Sequence, residues 1–71
     1  MDNDETWTDG GLYRIAGQTV ATERRRTLDY DGTPYYDVRA YLDGEWREVG
    51  TWVNRPPHAS EVAVKISLAR K

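Results

Sequence analysis

Tyr35, Arg39, Tyr41, Trp46, Glu48 and Trp52 are the side chains of this sequence best suited to recognition. Tyr35, Arg39 and Tyr41 recur at even spacings, as do Trp46, Glu48 and Trp52, which places each trio on one side of extended chain, because alternate residues of a strand point to opposite faces. Tyrosine, tryptophan and arginine are also the types that concentrate binding energy at protein interfaces, where rigid rings offer area at little entropic cost. A second candidate is the run Glu23 to Arg26. Arg24 and Arg26 would share a face, and together with Arg39 they could contact phosphates while neighbouring rings stack on bases, each stack being worth about 1 to 3 kcal/mol. The plainer reading of the run is an edge strand protected from aggregation by charge.

Other residue types point away from chemistry. Asp29 and Asp31 stand two apart, as at the start of a calcium loop, but the twelfth position of such a loop is Ala40, so the pair reads as part of a turn. There is one histidine, His58, and no cysteine, so neither a metal set nor a nucleophile with its base can be assembled. His58 itself reads as a loop or helix-entry residue. No catalytic residue, metal ligand or cofactor site is expected, and the chain reads as a binding protein that is not an enzyme.

These residues must be positioned by a sheet. Asp43-Gly44, flanked by runs of Tyr, Val, Leu and Trp, suits the positive φ values of a two-residue hairpin turn. A turn there pairs Leu42 with Glu45, Tyr41 with Trp46, Arg39 with Glu48, Val38 with Val49 and Tyr35 with Trp52. One face then carries Tyr35, Asp37, Arg39 and Tyr41 against Trp46, Glu48, Gly50 and Trp52. The other carries Tyr36, Val38, Ala40 and Leu42 against Arg47, Val49, Thr51 and Val53. The aliphatic second face is the one a helix would cover, since the first would bury Arg39 and Glu48. If instead the helix lies on the aromatic face, its rings are simply core.

Upstream, residues 12–30 supply two short β-favouring runs with a turn at Gly17-Gln18, a helix over residues 19–26 being the alternative. A further turn surrounds Asp31-Gly32. An even-length loop there puts Arg24, Arg26, Leu28 and Tyr30 on the aromatic face, and an odd one sends them to the other side. After Pro56-Pro57, residues 59–69 fit a helix with Ala59, Val62, Ala63, Ile66 and Ala69 on one stripe, Glu61 in the first turn, and Arg70 and Lys71 in the last. They also alternate as a strand. The helix is preferred because a meander needs a second layer to bury a face. The expectation is therefore an α+β fold, an antiparallel β-meander of three to four strands packed against one C-terminal helix. The alternative is all-β, with residues 61–69 as a further strand.

At 71 residues the chain makes one small domain, which withdraws only roughly 60% of its unfolded surface from water. Residues 1–11 hold Asp2, Asp4, Glu5 and Asp9 without a base and read as an acidic flexible leader, which leaves residues 12–71 as the folded body with ten bases against eight acids. Trp7 could fold back over that body. No apolar run of membrane-spanning length and no basic-then-apolar leader is present, so the chain reads as cytoplasmic with no membrane partner. A homodimer could form through an edge strand or through Val64 and Leu68, which fall off the helical stripe.

From Tyr36 to Arg70 the order strand, Asp-Gly turn, strand, helix resembles the arm-type DNA-binding domains of phage integrases and the last half of double-stranded-RNA-binding domains. It departs from the latter at the helix start, where "PPHASE" offers an acid in place of lysines. The small, acidic chain also resembles phage-encoded inhibitor proteins of the anti-CRISPR kind. The leading reading is a non-enzymatic module that docks on a partner protein through Tyr35, Arg39, Tyr41, Trp46, Glu48 and Trp52, and the resemblance makes an occluding inhibitor its most concrete form. The alternative is a nucleic-acid-binding sheet using Arg24, Arg26 and Arg39.

Overall fold

The computed structural model describes the backbone of residues 4–70 and the side chains of residues 6–70. Four strands, β1 (Asp4–Ile15), β2 (Gln18–Leu28), β3 (Pro34–Leu42) and β4 (Glu45–Val53), form an antiparallel meander in the order β1-β2-β3-β4, and α1 (Ala59–Ala69) packs on one face. The expected α+β meander with a C-terminal helix is therefore the observed fold. The leader assignment differs: β1 begins at Asp4, so the boundary after residue 11 falls inside a strand, while residues 1–3 lie outside the described residues.

Two hairpins turn on a pair of residues with positive φ. Asp43 (54°) and Gly44 (83°) join β3 to β4 as anticipated, whereas the first turn uses Ala16 (51°) and Gly17 (81°), one residue earlier than the expected Gly17-Gln18. The β2–β3 connection spans residues 29–33. Asp29 accepts a hydrogen bond from the Tyr30 amide at 2.7 Å and Asp31 accepts one from the Thr33 amide at 2.9 Å. The Thr33 amide, and after it the Thr33 hydroxyl, hold the Asp31 carboxyl below the ordinary carboxylate range. Both acids thus serve a turn, as their spacing suggested. The turn is odd in length, which decides the faces of β2.

The helix-side face is the aliphatic one. Ile15, Val20, Val38, Ala40, Leu42, Val62 and Ile66 form the buried core, with Tyr13, Val49, Trp52, Ala63 and Ala69 packed around it. Val62 and Ile66 are the buried members of the expected helical stripe, while Ala59 is exposed and Val64 and Leu68 point outward. At the helix start the Glu61 carboxylate accepts from the His58 amide at 2.8 Å and is clasped by both terminal nitrogens of Arg55, at 2.9 and 2.8 Å. His58 is accordingly a helix-entry residue. Arg70 caps the other end instead of occupying the last turn, and it donates to Gln18 at 3.0 Å; Lys71 lies outside the described residues.

Candidate interaction face

The face of the sheet opposite α1 is uncovered by any described element. β2 contributes Glu23, Arg25 and Thr27 to it, because the five-residue turn pairs Arg25 with Asp37 and Arg24 with Val38. Arg24 and Arg26 therefore lie on the helix side, and the placement of Arg24, Arg26 and Leu28 beside the aromatics is corrected. β2 is also an interior strand, so its charges do not guard an edge. On the open face the charges of Glu23 and Arg25 are neutralised within the sheet instead. Arg25 Nε donates to Asp37 at 2.9 Å and its terminal nitrogen approaches Glu48 at 3.6 Å, while Arg39 Nε donates to Glu23 at 2.9 Å. Asp37, 7% exposed, takes a further hydrogen bond from the Thr51 hydroxyl at 2.8 Å. The expected Arg39–Glu48 pair is thus a register neighbour only. Each of its members finds an opposite charge on β2.

Tyr41 and Trp46 face each other across the hairpin, ring centres 5.3 Å apart and inclined at 65°, an edge-to-face contact of the stable kind. Beyond them the pairing slips. Val38 pairs with Gly50 while Arg39 pairs with Glu48, so Val49 is an extra residue in β4. Past this bulge every side chain changes face: Tyr35 meets Val53, Tyr36 meets Trp52, and Thr51 comes up beside Asp37. The predicted Tyr35–Trp52 pair is therefore overturned, and Trp52 leaves the candidate face for the core side, where its ring lies over Gly50.

Trp7 takes the vacated role. β1 carries its indole onto the open face, with the Arg39 guanidinium carbon 4.3 Å and the Arg25 carbon 4.5 Å from its ring. Arg39 also stands 5.0 Å from the Trp46 ring, so it is held between two indoles while bonded to Glu23. Composition carried one usable signal for this. The acidic segment around Trp7 is complementary in charge to the Glu23–Arg26 run, as expected of neighbouring strands. Of the six residues expected to bind a partner, the structure gathers Tyr35, Arg39, Tyr41, Trp46 and Glu48 with Trp7, and it excludes Trp52. Trp46 (38%) and Tyr41 (48%) are the most accessible large rings of the set.

A scan against protein-family models and searches of curated proteins and of solved structures found no match to this chain. No helix among the described residues is long and apolar enough to cross a membrane, and those residues contain no grouping of three or more His, Asp or Glu able to hold a metal ion.

Proposed function

We propose that this protein is a non-enzymatic binding module that docks on another protein through its open sheet face, with Trp46 and Tyr41 as anchors. The supporting observation is the fixed stack of Trp7, Arg39 and Trp46 on a face that α1 leaves uncovered. A side chain already immobilised loses little further freedom on association, so rings held by arginines and arginines held by carboxylates lower the cost of forming a complex. Arg39 is saturated by Glu23 and two rings. Its role is to stiffen the face, and the exposed edges of Trp46 and Tyr41 supply the contact area. An occluding inhibitor of the phage-encoded kind that the chain resembles is the form of this function we favour, because such a protein needs a rigid surface and no catalytic group.

The test compares proteins retained by the immobilised wild type with those retained by Trp46→Ala, Tyr41→Ala and the outer-helix control Leu68→Ser, all checked for folding by circular dichroism. A direct partner should be lost from both face variants, by at least about 2 kcal/mol or 30-fold for a hot-spot ring, and kept by the control. Retention of the same partner by folded Trp46→Ala and Tyr41→Ala would refute the assignment. So would unfolding of both variants, which would make the rings structural.

A further inference from the structure

The helix covers only part of its own face of the sheet. α1 has 11 residues, a length of about 16 Å, whereas the 11 extended residues of β2 run about 37 Å. Towards the Tyr36 end the sheet is roofed only by the Pro56-Pro57 approach to the helix, and beneath it lies a cavity of about 310 Å³. Arg24, Arg26, Tyr36, Val38, Pro56 and Pro57 line it together with Thr8 and with Arg25, whose guanidinium is already engaged by Asp37. Asp37 reaches the lining too, but its carboxylate is bound by Arg25 and Thr51.

Of the three arginines in the lining, Arg24 and Arg26 differ from Arg25, and from Arg39, Arg47 and Arg55 elsewhere, each of which has an acid partner. Among residues 6–70, whose side chains are described, no carboxylate pairs with Arg24 or Arg26; Asp4 stands opposite Arg26 in the strand register. Arg26 is nevertheless positioned. Its Nε donates to the Tyr36 hydroxyl at 3.3 Å and its guanidinium lies 5.9 Å from that ring, and its terminal nitrogens, bonded to no side chain among residues 6–70, can fork onto a ligand oxyanion.

We propose that this cavity binds a phosphate monoester joined to a flat ring, namely a nucleoside monophosphate, either free or as the phosphorylated end of a single strand. Charge selects phosphate: a monoester carries about −1.5 to −2 at neutral pH, enough to neutralise two guanidiniums, whereas a carboxylate would leave one unmatched. Size selects a single nucleotide, since the volume sits at the lower end of the roughly 300 to 1,000 Å³ common for small-molecule sites. Tyr36, Val38 and the two prolines give the ring an apolar wall. The site lies on the opposite side of the sheet from the open face and stands or falls independently of it.

The experiment is a titration of the full chain, followed by amide and arginine Nε–H resonances, with adenosine 5′-monophosphate, adenosine and inorganic phosphate. The expected result is that the monophosphate shifts Arg24, Arg26 and Tyr36, that phosphate shifts the same arginines more weakly, and that adenosine binds at least about tenfold more weakly than the monophosphate. Replacing both arginines (Arg24→Gln with Arg26→Gln) should cost the monophosphate at least about tenfold, Tyr36→Phe should cost less, and Arg47→Gln should cost nothing. A 5′-phosphorylated oligothymidylate that binds more tightly than its 5′-hydroxyl form and than the monophosphate identifies a strand end. The reverse order identifies a free nucleotide. Equal binding of adenosine and its monophosphate, shifts confined to Trp7, Arg39 and Trp46, unchanged affinity in the folded double variant, or preferential binding of an acidic peptide would each overturn the proposal. Shifts in the wild type decide the matter should the double variant fail to fold.

Discussion

Replacing Gly50 by alanine tests whether the β4 bulge seats Trp52 as described. A methyl at position 50 would stand 2.7 Å from Cη2 and 2.9 Å from Cζ3 of the Trp52 indole, closer than carbon atoms approach without displacement. Gly50 has no backbone requirement for glycine, since its φ lies outside the left-handed region. In an uncrowded strand the same change would therefore stabilise the fold by about 0.5 to 1 kcal/mol, by removing a flexible residue. Overpacking costs about 1 to 3 kcal/mol, so the sum is a net loss near 1 kcal/mol. An independent route agrees: re-exposing a third of an indole that buries about 150 to 250 Å² forfeits about 1 to 2 kcal/mol at 25 cal/mol/Å². Urea unfolding followed by circular dichroism should show this loss in the wild-type background. Once Trp52→Leu has removed the ring, Gly50→Ala should turn neutral or stabilising. The sign reversal is the decisive feature, and equal effects of Gly50→Ala in both backgrounds would refute the placement of Trp52 over Gly50.

Trp7→Ala removes two cation–π contacts at once, each worth about 0.5 to 1 kcal/mol, and should lower stability by about 1 to 2 kcal/mol in urea titrations. A double-mutant cycle with Arg39→Gln should return a favourable coupling, and strict additivity would mean that Trp7 does not rest on Arg39. The Glu61 carboxyl is held at about 2, against 4.5 ordinarily, chiefly by Arg55 and then by the His58 amide. The folded state thus binds fewer protons than the unfolded state between those values. Its contribution is complete above pH 4.5 and is lost as pH falls towards 2. Thermal unfolding of Glu61→Gln should therefore show a shallower fall in stability across that window than the wild type, and parallel curves would show that the clasp contributes nothing.

What the sequence disclosed was local. Asp43-Gly44 fixes a turn by backbone chemistry confined to two residues, and the nearest cross-strand pair, Tyr41 with Trp46, follows from it with no other knowledge. The stripe of Val62 and Ile66 is likewise written in helical spacing, and the choice of the aliphatic face as core followed from refusing to bury Arg39 and Glu48. Parity was the point of failure. The face of Arg24 and Arg26 depended on whether the turn after Leu28 holds an even or an odd number of residues, and Asp29, Asp31 and Gly32 suit either. Val49 gives no local sign that it is the extra residue of a bulge, because a valine in a strand reads as an ordinary member of the ladder.

The physical reason for that bulge becomes visible only with both faces in view. Regular pairing would have left Trp52 on the solvated side and turned the Thr51 hydroxyl towards the core. It would also have left the buried Asp37 with one partner fewer. One inserted residue exchanges them: the indole packs, half-buried, against a core whose buried members are all aliphatic, and the hydroxyl reaches the carboxylate. For a chain of this size, with no cysteine to form a disulfide, an indole on the core side is a large share of the apolar area available. The same exchange thins the open face to one accessible indole on β4, and Trp7 from the far edge strand restores the second ring around Arg39. If the open face docks on a partner as proposed, stability and recognition draw on different tryptophans. A substitution at Trp52 should be felt in unfolding, and one at Trp46 in binding.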